Sequence, residues 1–290
     1  MTAIAEAAVL TEPGVYEIPE AIYHGDPVPG GSLSSSGAKR LLPPSCPARF
    51  RYEQDHPVVK DIFDFGSAAH KLVLGVGPDL TVINARNWQT NKAKDERNAA
   101  RAFGQIPVLA DDYEQVKEMA AAIRRHPIAG ALFDPDRGGK AEQSLFWPDH
   151  EFGIWRRARL DWMPDPNATG RFILGDYKTC VAADKASVAK AVANYGYYMQ
   201  DAWYIDAVAA LGLADDAAFL FVFQEKNPPY LITVAELDYA AIAAGREANR
   251  MAMEIYRDCK EIDRWPGYGD DIELISLPAW MRGRYSRGDF

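Results

Sequence analysis

Apolar positions along the chain change their spacing near residue 140. Before that point they recur at intervals of three and four. Tyr113, Val116, Met119, Ala120 and Ile123 fall on one side of a helix predicted over 111–126. Phe63, Ala69, Leu72 and Val73 do the same over 63–74, and a charge-laced helix is predicted over 88–103. Serines ahead of Gly37-Ala38-Lys39-Arg40-Leu41 read as a helix cap, Pro43-Pro44 as its stop, and 47–54 as a further short helix. After residue 140 the runs become strand-like at 143–147, 153–162 and 171–179, with a turn at Pro164-Asp165-Pro166-Asn167. An Ala-rich stretch, 183–211, reads as one long helix. Two apolar strands, 218–223 and 230–234, follow, and 237–259 reads as a last long helix. This order predicts an α/β (α+β) fold: a central mixed sheet flanked by helices, with a helical N-terminal half.

Composition narrows the classes. The 290 residues are 48% apolar and 25% charged, enough for a sizeable core and unlike a fibre or a disordered tail. No run approaches the ~20 apolar residues of a membrane span. The first ten residues lack the basic stretch of a secretory signal. No membrane partner and a cytoplasmic location are expected. Cys46, Cys180 and Cys259 are too few and too scattered for a disulfide scaffold or a four-cysteine cluster, and reduced thiols are the simplest reading. Residues 1–31 read as an acidic, extended and loosely ordered arm, because residues 1–30 hold five acids and no Lys or Arg. Residues 32–265 read as a single domain, with a helical part at 32–135 and a catalytic core at 136–260. Residues 266–290 form a tail.

Candidate chemistry lies in Arg156-Arg157-Ala158-Arg159-Leu160-Asp161 and Gly175-Asp176-Tyr177-Lys178-Thr179. On a strand, Arg157, Arg159 and Asp161 share one face, and Ala158, Leu160 and Trp162 share the other. Asp176 and Lys178 share a face of the next strand. Adjacent strands would bring Asp161, Asp176 and Lys178 together. Two carboxylates suit Mg²⁺ or Mn²⁺ better than zinc. An ion there can bind a phosphate oxygen and acidify a water. Lys178 can orient or deprotonate that water, or steady the charge that develops, and Arg157 and Arg159 can hold flanking phosphates. These are the requirements for metal-assisted phosphodiester hydrolysis. The bland alternative is a cross-strand ion pair.

Further segments carry a family resemblance. Ser34-Ser-Ser-Gly-Ala-Lys-Arg-Leu-Leu42 precedes Ser45-Cys-Pro-Ala-Arg-Phe50. Gly66 and His70 form a G-x-x-x-H motif. Glu142 precedes Ser144, Trp147 and Arg159-Leu-Asp161. Asp176-Tyr-Lys178 stands as a (D/E)-x-K core, Gln200 and Tyr204 form Q-x-x-x-Y, and Phe221 to Tyr230 supplies a strand and turn. In order and spacing, over roughly 32–235, the chain resembles the RecE-type (exonuclease VIII-like) branch of the PD-(D/E)XK nuclease superfamily. Its relatives include lambda exonuclease and the RecB and Cas4 nuclease domains.

The resemblance implies catalytic roles for Asp161, Asp176 and Lys178, and metal ligation by Asp161, Asp176, His70 and Glu142. It also implies DNA-binding or site-supporting roles for Gln200 and Tyr204, for which core packing is the alternative. It implies a Mg²⁺-dependent (or Mn²⁺-dependent) exonuclease on double-stranded DNA ends that runs 5′→3′. The 3′ single strands would go to a single-strand annealing protein or recombinase, and such enzymes often form ring-shaped homo-oligomers. No iron–sulfur cluster and no ATP are expected, since neither four cysteines nor a phosphate-loop motif is present. A Cas4-like or endonucleolytic enzyme, or a non-catalytic DNA-end-binding protein, are the alternatives.

The net charge of −9 argues against a polyanionic partner until it is resolved locally. Residues 31–60 and 86–101 each carry five bases against two acids. Arg156, Arg157 and Arg159 lead into the proposed site, and the tail adds Arg282, Arg284 and Arg287. The expectation is a narrow basic track on an acidic body.

Overall fold

The computed structural model describes residues 9–56, 64–167, 169–269, 271–279 and 281. Its elements are β1 (Gly14–Tyr16), α1 (Glu20–His24), β2 (Ser32–Ser34), α2 (Ser35–Leu41), α3 (Pro47–Asp55), α4 (Asp64–Leu74), β3 (Leu80–Ile83) and α5 (Asn91–Ala102). There follow β4 (Ile106–Leu109), α6 (Ala110–Arg125), α7 (Pro127–Leu132), β5 (Lys140–Asp149), β6 (Ile154–Met163), β7 (Phe172–Cys180) and α8 (Lys185–Tyr195). Last come α9 (Tyr197–Ala210), β8 (Ala217–Glu225), β9 (Ile232–Glu236) and α10 (Tyr239–Glu261).

Seven strands form the main sheet in the order β1-β5-β6-β7-β8-β9, with β2 beside β6; β3 and β4 pair separately. β7–β8 and β2–β6 are parallel and the other pairs of the main sheet antiparallel. The fold is therefore a mixed α/β sheet flanked by helices. Alternation along β8 shows why both faces are covered. Phe219, Phe221 and Phe223 enter a core with Trp203 of α9 and Met253 of α10. Val222 enters another with Met119 and Ile123 of α6. Helix α10 closes on α9 where Gly245 allows it, since a Cβ there would lie 2.1 Å from Tyr198 O.

Two irregularities shape the sheet around the candidate site. The β6–β7 ladder is a single residue pair, Trp162 opposite Gly175. Past it the strands part, and β2 pairs with the freed stretch of β6 at Trp155–Arg157. The expected alternation in β6 also breaks at Asp161. Leu160 and Met163, three apart, share the α9-side core, while Trp162 joins the opposite core rather than sitting with Ala158 and Leu160. Glu142 faces this break from β5 at φ +55, between the ladder pairs Ala141↔Trp162 and Gln143↔Leu160. Such local irregularities re-aim side chains.

The structure also departs from the sequence reading at both ends of the sheet. The described part of the arm is not loose. Gly14–Tyr16 pairs with Ser144–Phe146, and Leu10, Tyr23 and Val28 bury against Phe146. The stretch 183–211 is two helices, because Gly196 stands at φ +64 between them, a conformation glycine adopts without steric cost. No described helix is long and apolar enough to cross a membrane. Residues Lys60, Arg282, Arg284 and Arg287 lie outside the described residues.

Candidate active site

The parting of β6 and β7 creates the site. Asp161 and Asp176 each sit one residue from the Trp162–Gly175 pair, so they face the gap from neighbouring strands. The ladder is absent beyond that pair, and the Tyr177 N–H instead donates to Asp161 Oδ2 at 2.8 Å. Lys178 Nζ lies 2.6 Å from Asp176 Oδ2. Gln200, projecting from α9, donates through Nε2 to Asp176 Oδ1 at 2.7 Å. Asp176 is 2% exposed.

Helix α4 brings His70 to the same place, with Nδ1 3.7 Å from Asp161 Oδ2. Its ring centroid is 5.1 Å from that of Tyr177. Glu142 arrives from the strained position on β5. His70, Glu142 and Asp161 each offer one donor atom, all within 4.8 Å of one another. Asp176 lies outside that trio, behind Lys178. A cleft of about 1100 Å³ opens over the group, and Lys178, Arg159 and Tyr204 are among its lining residues. Its other wall, Glu17, Glu20, Tyr23 and His24, comes from the N-terminal arm and had no signal in the sequence beyond its acidity. Lys39 and Tyr197, which stand beside Lys178, were also missed. Nothing in a one-dimensional pattern links residues so far apart.

The arginines are placed differently from the sequence expectation. Arg157 is 5% exposed and donates to the Asp26 carboxylate, to Ser32 O at 2.6 Å and to Ser32 Oγ at 2.8 Å. That guanidinium is held inside the protein and is not among the residues that line the cleft. Arg159 donates to Glu142 Oε2 at 2.6 Å, Ser144 Oγ at 2.8 Å and Ile18 O at 3.0 Å, bracing the glutamate and the N-terminal wall. Arg156 is held by Asp149 and Asp206. Of the three arginines, Arg159 is the one that lines the cleft. Tyr204 Oη donates to Arg159 O at 2.9 Å and Trp203 Nε1 to Arg157 O at 3.0 Å, so α9 fixes β6 from behind while Gln200 fixes Asp176.

The electrostatics follow from burial and crowding. Burial first, then Asp176, pushes the Asp161 carboxyl up to about 7. Burial first, then Asp161, raises Glu142. Burial, then the Lys178 charge, lowers His70. Burial works against the Lys178 ammonium, but Asp176 and Asp161 outweigh it and raise its pKa. The site thus holds carboxyls reluctant to ionise together, a neutral imidazole and a firmly charged lysine.

A family model described as PDDEXK-like domain of unknown function (DUF3799) matches residues 34–278. The chain belongs to this family. Among solved structures, this PDDEXK-like chain is similar to a protein from Eubacterium rectale provisionally described as an exonuclease. The identity is 14%, the TM-score 0.57, and the match covers 87% of this chain and 92% of that one. The family match is what makes the domain PDDEXK-like, and the likeness to the solved structure is one of overall fold. A second structure, of SSO0001, has a TM-score of 0.27 at 12% identity, covering 66% of this chain and 85% of that one, and carries no argument. A comparison with curated proteins finds no match.

The residues of this PDDEXK-like domain fit a divalent cation. The trio of His70, Glu142 and Asp161 is compact, and two of its three donors are hard carboxylate oxygens. Asp176 Oδ2 is buried and, apart from the Lys178 ammonium, has no partner among the described residues. It is the further carboxylate at hand.

Proposed function

We propose that this protein is a divalent-metal-dependent nuclease that hydrolyses phosphodiester bonds of DNA from duplex ends. The observation that carries the reading is the convergence of Asp161, Asp176 and Lys178 with His70 and Glu142 on one cleft, assembled from strands that part to make room. Asp161, His70 and Glu142, with Asp176 beside them, would hold the ion. When bound, it supplies a Lewis acid for a phosphoryl oxygen and a water of lowered pKa. Lys178, paired to Asp176 and therefore charged, donates hydrogen bonds to negative charge developing on the phosphoryl oxygens. Gln200 and the Tyr177 N–H keep the two carboxylates aimed.

The description of the Eubacterium rectale protein and the sequence resemblance both favour action at ends. By the resemblance, digestion runs 5′→3′ with Mg²⁺ or Mn²⁺ and leaves 3′ strands for an annealing protein or recombinase, with a ring-shaped homo-oligomer as the working form. The test is release of nucleotides from end-labelled linear duplex and from covalently closed circles, with Mg²⁺, Mn²⁺ or EDTA. Expected are metal-dependent release from linear DNA by wild type and its loss in Asp176→Ala and Lys178→Ala. Equal cutting of closed circles would make the enzyme an endonuclease. Binding without metal-dependent release would make it a DNA-end-binding protein.

A further inference from the structure

Two lysines stand over one aromatic ring beside the cleft, and among the described residues only one of them is ion-paired. Lys178 Nζ is 5.2 Å from the Tyr197 ring centroid and ion-paired to Asp176. Lys39 Nζ is 5.6 Å from the same centroid, so the ammonium groups are separated by no more than the sum of those distances. Lys39 is half-buried, and among the described residues it makes no ion pair and no hydrogen bond. Its contacts are the Tyr197 ring and Gly196, where a Cβ would lie 3.2 Å from the lysine stem. Gly196 thus makes room for Lys39 in the same turn that breaks α8 from α9. Lys39 also lies three residues after Ser36, a cleft-lining residue, and so on the same side of α2.

A half-buried cation that shares a ring with another cation and has no ion-pair partner among the described residues is unfavourable. In keeping with that geometry, burial first, then the Lys178 charge, pulls the Lys39 ammonium down to about 8, with Asp176 opposing in part. An arrangement of this kind is relieved by an incoming anion. Resting on the nuclease reading above, we infer that Lys39 is a second substrate-binding residue of the cleft, its ammonium taking a non-bridging oxygen of the DNA phosphate adjoining the one that is hydrolysed. Lys178 serves the reacting phosphate and Lys39 its neighbour, with Tyr197 as the spacer between them.

The experiment measures duplex binding in Ca²⁺, by fluorescence anisotropy over a range of salt, for wild type, Lys39→Met and Lys39→Arg. Expected is roughly tenfold or greater weakening in Lys39→Met, with most affinity kept in Lys39→Arg. The slope of log affinity against log salt should fall by about one in Lys39→Met. A series of duplexes, each with one methylphosphonate at a successive phosphate, locates the contact. At one position the neutral linkage should weaken wild type and leave Lys39→Met unaffected. Melting temperatures separate a folding defect from a binding one, and Lys39→Arg keeps the test open if Lys39→Met folds poorly. Equal affinity and slope in wild type and Lys39→Met, or methylphosphonates that cost both proteins the same at every position, would overturn the assignment. If wild type binds DNA but does not cut it with Mg²⁺ or Mn²⁺, the nuclease reading falls while the binding arm still decides Lys39. If wild type binds no DNA, both fall.

Discussion

Replacing Arg157 by Met tests whether this residue serves the fold or the substrate. Its side chain is 6% exposed and donates to Asp26 and to two oxygens of Ser32. Asp26, 16% exposed, also accepts from Ser32 N at 2.6 Å and Ser32 Oγ at 2.8 Å, so the pair ties the N-terminal arm to β2 and β6. Removing one partner of a buried ion pair strands the other charge and costs about 3–5 kcal/mol. In a chain of this size each kcal/mol is worth about 2–4 °C, so the melting temperature should fall by something on the order of 6–20 °C. Asp26→Asn suits a cycle because asparagine tolerates the φ of +56 found there. The double variant should be less damaged than the sum of the two single ones. Calorimetry and urea midpoints on the four proteins measure the coupling. The salt slope of DNA binding should not change. A variant that melts with wild type but binds DNA more weakly would refute the structural assignment and restore Arg157 as a phosphate ligand.

Gln200→Leu leaves Asp176 Oδ1 without its donor. Metal affinity or nuclease rate should drop about 10–100-fold with little change in melting, and an unchanged metal titration would remove Gln200 from the site. Gly245→Ala puts a carbon 2.1 Å from Tyr198 O and must push α10 off α9. About 3 kcal/mol or more of stability should be lost in urea unfolding, and a wild-type midpoint would contradict the contact. The metal-free protein should lose stability as pH rises through about 7. A carboxyl whose folded pKa is raised favours the fold below its unfolded pKa and loses that contribution on passing the folded one. Asp201, raised to about 7 by burial and by Glu236, adds to the same trend, so Asp161→Asn should remove only part of it. Saturating Mn²⁺ should flatten the melting-temperature profile on the approach to pH 7 from about pH 5, and a metal-free profile already flat there would deny the crowded carboxyls.

The long periodic elements were legible because their spacing is their cause: α6 buries Val116, Met119, Ala120 and Ile123, the residues that predicted it. The nearness of Asp161 and Asp176 was legible because neighbouring strands bring them together, each one residue from the Trp162–Gly175 pair, and alternation along β7 puts Lys178 beside Asp176. The fate of Arg157 was not. Its partner Asp26 is more than a hundred residues away, and a basic run before an acidic pair reads identically whether it meets DNA or a buried carboxylate. The break at Asp161 was hidden too, because it depends on Glu142 taking φ +55 across the ladder, a tertiary choice that local propensity opposes. The three-residue strands β1 and β2 have no pattern of their own and exist through their partners, Ser144–Phe146 and Trp155–Arg157.

Those distant pairings bear on when the protein becomes able to act during synthesis. β1 must wait for β5, some 130 residues later, and the cleft wall built from Glu17 to His24 waits with it. Asp176 is aimed only once Gln200 has been made. α9 in turn is held by Asn249 of α10, which donates to Met199 O at 2.9 Å. A growing chain therefore carries every acidic ligand well before it carries the brace that positions them. The cleft proposed for phosphodiester hydrolysis therefore takes its described shape only after synthesis has passed Asn249, when those long-range contacts can close.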